Sequence, residues 1–129
     1  MTDRTDVLLV FADPVIYPSA QPYGLMILQS ALEARGIRCE TILPFYRSNP
    51  AAYTRDSIAR SGARIVGYSF RNLDSAGFHF STDGSFSFVG HLLGILPDRK
   101  TFDGIVALGG SGFSIAPTEL MEITQANIL

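Results

Sequence analysis

Val7-Leu8-Leu9-Val10-Phe11 is an unbroken apolar run with no alternation of polar residues. A strand with one face in water alternates, whereas a run apolar on both sides belongs inside a parallel sheet covered by helices above and below. Arg64-Ile65-Val66-Gly67-Tyr68-Ser69-Phe70 and the apolar run Ile105-Val106-Ala107-Leu108 are further strands, and Arg38-Cys39-Glu40-Thr41-Ile42-Leu43 alternates as a more exposed one. Helix signals separate them. Leu25, Leu28, Ala31 and Leu32 recur at helical spacing, with Pro22 near the helix start and Gly36 just past its end. Asn49-Pro50 supplies an N-cap and a first-position proline for a second helix that ends near Ser61-Gly62. Residues 89–96 read as a short helix stopped by Pro97 and weakened by two glycines, and a last helix begins near Pro117. Strands alternating with helices imply right-handed crossovers. The expected fold is therefore α/β: a Rossmann-like, three-layer arrangement around a doubly wound, mostly parallel sheet of four to five strands.

Ligands of such sheets lie outside the carboxyl ends of the strands, which makes neighbours of the loops 13–22, 70–74 and 109–114. The last contains the densest glycine cluster, Gly109-Gly110-Ser111-Gly112-Phe113-Ser114, between a buried strand and a helix start. Without Cβ atoms the backbone can approach a bulky ligand closely, although glycine-rich turns also serve plain chain reversal. Residues 71–87 mix glycines and aromatics among polar residues, a long loop of the kind that carries function or moves.

Composition excludes several classes of function. At 129 residues the chain is a single domain, 1–129. Ten basic residues against twelve acidic ones give a formal charge of -2 without any Lys or Arg run, so a nucleic-acid partner is not expected. Cys39 is the one cysteine, which excludes an internal disulfide and any multi-cysteine metal site; within a strand it is expected to be packed rather than reactive. No stretch reaches the roughly 20 apolar residues that cross a bilayer, and the start lacks a signal-peptide core, so no membrane partner and a cytoplasmic location are expected. His79 and His91 have no third ligand nearby that would make a zinc site.

The loop ending Gln21-Pro22-Tyr23-Gly24-Leu25, the helix ending Ala34-Arg35-Gly36, the strand Ile65-Val66-Gly67-Tyr68-Ser69-Phe70, and the glycine block followed by Pro117 and Glu119 occur in an order that resembles the N-terminal cobalamin-binding domain of cobalamin-dependent (class B) radical SAM enzymes. The resemblance spans nearly the whole chain. Such enzymes are mostly methyltransferases, and it implies a vitamin B12 cofactor, with its cobalt, as methyl carrier between S-adenosylmethionine and a small-molecule acceptor such as a natural-product precursor. Their second domain holds a four-iron-four-sulfur cluster on a CxxxCxxC motif that this chain lacks. The resemblance thus implies a binding domain, not catalytic alone, working with a radical SAM domain in cis or trans. S-adenosylmethionine and the cluster belong to that other domain. The alternative is a non-catalytic flavodoxin-like ligand-binding or protein-interaction module.

Two departures refine the expectation. Relatives that place a protein histidine on cobalt carry DxHxxG after the first strand, whereas Asp13 is followed here by Pro14-Val15-Ile16-Tyr17. The resemblance then implies a base-off cofactor with no protein ligand to cobalt. Residues 127–129 stand where a fifth strand is expected to start, so contacts from that strand would be missing or supplied elsewhere.

The cofactor-binding residues expected on this basis are Tyr17, Pro22, Ser69, Phe70, Arg71, Asn72, Gly109, Gly110, Ser111, Gly112, Phe113 and Ser114, with no catalytic residue among them. The three glycines would let the nucleotide tail pass against backbone, with Ser111 and Ser114 as donors, or else the block is a tight turn whose serines cap the last helix. Ser69 either places a hydroxyl on the tail or is a small residue at a crowded strand end. Arg71 would shield the lower face of the corrin, since a guanidinium has donors and no lone pair for cobalt, or it is a surface residue paired with Asp74. Tyr17, Tyr23, Phe70 and Phe113 would pack on the corrin or tail, or belong to the core.

Overall fold

A computed structural model describes residues 4–13, 22–70, 88–114 and 117–128. Four strands, β1 (Val7–Phe11), β2 (Cys39–Ile42), β3 (Ile65–Ser69) and β4 (Ile105–Gly109), form one sheet in the order β2-β1-β3-β4. Every pairing is parallel. Among the described residues the helices are α1 (Tyr23–Glu33), α2 (Pro50–Ser61), α3 (Phe88–Gly94) and α4 (Pro117–Thr124), and a 3-10 turn, Pro44–Tyr46, precedes α2. This is the Rossmann-like α/β fold.

The all-apolar first strand takes a central place because both of its faces are covered. Leu8 and Val10 join Val66, Tyr68, Val106 and Leu108 in a core completed by Tyr53 and Ile58 of α2, Leu92 of α3, and Leu120 and Met121 of α4. Val7, Leu9 and Phe11 point the other way and pack with Leu25 and Leu32 of α1. Each such side chain removed from water contributes about 1.5–3 kcal/mol.

Local signals place the helix ends. The Asn49 side chain accepts the Ala52 N–H at 3.1 Å, Pro50 opens α2, and Gly62 closes it at φ +66. α1 runs from just after Pro22 to Glu33, with Gly36 beyond it. At the start of the sheet the Asp6 carboxylate accepts the Arg38 N–H at 2.9 Å, which ties β1 to β2 and holds the carboxyl below its usual range. Cys39 is half-buried in β2, as expected, and burial with Glu33 and Glu40 nearby pushes its thiol up to about 11.

Where the sequence leads one to expect a fifth strand to start, Ile128 forms a single isolated parallel bridge with Ala107. Leu108 donates its N–H to the Ile128 carbonyl at 3.0 Å, and the Asn127 side chain accepts from the Val106 N–H at 2.8 Å. Arg99 fixes this junction by donating to the Gly104 carbonyl at 2.9 Å and to Asn127 Oδ1 at 2.6 Å. A side-chain clip between loops carries no periodicity, so the sequence pattern did not announce it.

Candidate functional site

The strand order reverses between β1 and β3, and such a switch point opens a crevice at the carboxyl ends of the strands. The Ala12 N–H donates to the Ser69 carbonyl at 2.8 Å across that point, and Asp13, the next residue, is fully buried. The Phe70 N–H donates to the Gly109 carbonyl at 3.1 Å, so the ends of β1, β3 and β4 stand side by side. The described ends of the three loops are thus neighbours.

The glycine block folds back onto β3. Gly112 donates its N–H to the Phe70 carbonyl at 2.8 Å, and Phe113 donates to the Gly110 carbonyl at 3.2 Å. At Gly110 φ is +96, and a Cβ there would lie 2.6 Å from the Phe70 carbonyl oxygen. The fold itself therefore requires this glycine, and the space it leaves is filled by backbone rather than open to a ligand. Gly109 differs, since among the described residues a Cβ there would meet only the Tyr68 carbonyl oxygen, 4.0 Å away.

The rings of Phe70 and Phe113 are likewise committed to the interior. Their centroids are 5.5 Å apart and both side chains are fully buried, the core position that the sequence held open beside packing on a corrin or tail. Ser111 and Ser114 are exposed on the turn, Ser69 is half-buried and Pro22 is half-buried at the start of α1. Gly112 is buried. Tyr23 is exposed on α1. Tyr17, Arg71, Asn72, Asp74 and His79 lie outside the described residues. His91 is exposed on α3 and stands edge-on to Phe45, with centroids 5.7 Å apart, on the face of the sheet opposite α1.

The pairing register adds Gly67 and Ala107, which the linear pattern did not single out. Gly67 lies beside Ala107, and Ser69 beside Gly109. Alternation sends these four to the α1 side of the sheet, while Val66, Tyr68, Val106 and Leu108 enter the opposite core. Among the described residues, the α1 side over β3 and β4 is thus floored by two glycines, an alanine and a serine, all half-buried. A small residue at every second position of one strand is visible in a sequence; that two such strands lie in register is decided by the sheet.

This floor is a shallow, small-residue cradle, bounded on the β1 side by Leu9, whose Cδ2 would sit 3.3 Å from a Cβ at Gly67. It can admit a flat or extended ligand segment against backbone and offer it the Ser69 hydroxyl. The described residues place no catalytic acid, base or nucleophile constellation around it.

Compared with solved structures, the chain is similar to the radical S-adenosylmethionine methyltransferase TsrM from Kitasatospora setae with cobalamin and a 4Fe-4S cluster bound. The TM-score is 0.73 at 29% sequence identity, over 95% of this chain and 23% of that one. The chain spans less than a quarter of that protein's length. No family model matches it, and no curated protein matches it.

Proposed function

We propose that the chain is a cobalamin-binding domain that holds the cofactor base-off, as the methyl carrier of a radical SAM methyltransferase acting on a small molecule. The observation that carries this reading is the small-residue floor, Gly67, Ser69, Ala107 and Gly109, leading to the carboxyl edge of a parallel sheet. The similarity to a cobalamin-bound methyltransferase over 95% of the chain supports it.

The residues present fit such a group. Gly109, Ala107 and Gly67 would leave room for the nucleotide tail, and the hydroxyls of Ser69, Ser111 and Ser114 would donate to its polar atoms. Phe70 and Phe113 pack on one another at the turn around Gly110, which supports the edge from within the core. Cobalamin, when bound, supplies a cobalt centre able to accept and release a methyl group. Residues 14–17 contain no histidine, and His91 is committed to the opposite face of the sheet. Arg71, directly after Phe70 in the chain, would shield the lower face of the corrin without coordinating cobalt. Methyl transfer itself would need a radical SAM domain in cis or trans, with its own cluster and S-adenosylmethionine.

The test is retention of hydroxocobalamin by the 129-residue chain after gel filtration, read by its visible absorbance. Gly109→Val should weaken retention about tenfold or more, because a branched side chain fills the cradle at a cost of about 1–3 kcal/mol to the ligand, while the melting curve stays put. Unchanged retention in the folded variant overturns the site. After reduction to the Co(II) state, the electron paramagnetic resonance spectrum should show no nitrogen superhyperfine splitting; a one-nitrogen splitting overturns the base-off, ligand-free assignment.

A further inference from the structure

The amino end of the sheet carries a cleft that the cobalamin reading does not use. Its volume of about 630 Å³ lies in the range of small-molecule sites, and it exceeds the groove of about 370 Å³ between α2 and α3. Residues that precede three strands meet there: Arg4 before β1, Arg64 before β3 and Gly104 before β4, joined by Arg55 of α2. Part of its floor is rigid backbone. The Arg64 carbonyl accepts the Ile105 N–H at 2.8 Å, and any side chain at Gly104 would collide with that carbonyl and with the Phe102 ring. Ile58, Leu96 and Phe102 give the cleft an apolar wall.

The charges around it are arranged for something other than one another. Arg4 Nε donates to the Gly62 carbonyl at 3.0 Å, where it offsets the partial negative charge at the carboxyl end of α2. Asp98 serves its own loop by accepting the Lys100 N–H at 2.9 Å. Among the described residues, the side chains of Arg55, Arg64 and Asp103 make no hydrogen bond or ion pair, although all three line the same cleft. Two arginines without a side-chain partner among the described residues thus line the same cleft as the apolar residues, a combination suited to a planar or tetrahedral oxyanion on an apolar body.

We infer that this cleft binds a small organic anion, its phosphate or carboxylate on Arg55 and Arg64 and its apolar body against Ile58, Leu96 and Phe102. The site is at the opposite end of the strands from the glycine edge and stands independently of the cobalamin reading.

The experiment is a titration of the full chain, followed by amide chemical shifts, with phenyl phosphate, benzoate and inorganic phosphate as probes. Saturable millimolar binding of phenyl phosphate or benzoate, with shifts at Gly104 and Phe102, is expected; which of the two binds assigns the head group. The double variant Arg55→Gln with Arg64→Gln should weaken it about tenfold, with melting and hydroxocobalamin retention unchanged, since both side chains are exposed. Absence of saturation, or binding that the double variant leaves intact, overturns the site. Inorganic phosphate binding as tightly as phenyl phosphate overturns the role of the apolar wall.

Discussion

The two faces of β3 and β4 are made by alternate residues of the same strands, yet they do opposite work. Toward α2, α3 and α4 the strands send Val66, Tyr68, Val106 and Leu108, none more than 4% exposed. Toward α1 they send Ile65, Gly67, Ser69, Ile105, Ala107 and Gly109, of which Ile105 is 41% exposed. The first set fills space and the second leaves it. A parallel sheet is ordinarily covered on both faces, and on this one the side chains shrink to glycine, alanine and serine beside the carboxyl edge, where we propose that the ligand lies. The gradient along that face agrees, with isoleucines at the amino end and small residues at the carboxyl end.

The comparison can be broken most severely at Gly110. Gly110→Val would drive a Cβ into the Phe70 backbone at a positive φ, and a loss of about 3–5 kcal/mol is expected in denaturant melts. A variant that folds as stably as the parent would show that the turn is not pinned to β3. Leu108→Ala on the filled face should cost about 2–5 kcal/mol, whereas Gly109→Val, its neighbour on the open face, should change stability by less than about 1 kcal/mol. Equal losses at the two positions would erase the distinction between the faces.

Smaller effects sharpen it. The Tyr68 hydroxyl donates to the Ile95 carbonyl at 2.8 Å inside the filled face, and burial pushes its ionisation far up. Tyr68→Phe should lower stability by about 1–2 kcal/mol by leaving that buried carbonyl unpaired, with hydroxocobalamin retention unchanged. A loss of retention would mean that the two faces are coupled through the strand. The smallest effect is chemical. With its thiol near 11 rather than 9, Cys39 should hold about a hundredfold less thiolate at pH 8 than an ordinary cysteine, so its alkylation should be slow there and accelerate only as pH rises toward 11. Rapid labelling at pH 8 in the native state would show that β2 opens readily.

Much of this was legible in advance, for identifiable reasons. Pro22, Gly36, Asn49-Pro50 and Gly62 mark helix ends because capping and left-handed turns are local chemistry, and α1 and α2 begin and end beside them. The continuous apolar character of Val7-Leu8-Leu9-Val10-Phe11 announces a strand buried on both faces, because nothing else satisfies five successive apolar residues in a short strand. The glycine block reads as a turn at a strand end, which it is.

What the sequence left open concerns contacts between residues far apart in the chain. Gly109 and Gly110 are adjacent and chemically identical, and only the approach of the Phe70 backbone makes one of them a necessity of the fold and the other an opening. Phe70 and Phe113 resemble ligand platforms in sequence but find each other in the core, because two apolar rings brought within 5.5 Å bury more surface together than either would at a wet edge. The cradle and the arginine cleft have the same origin. Local propensity determined which segments became strands and helices; the register of Gly67 with Ala107 and of Ser69 with Gly109, and the meeting of Arg4, Arg55 and Arg64, were decided by packing, since non-local neighbours exist only once the sheet has assembled.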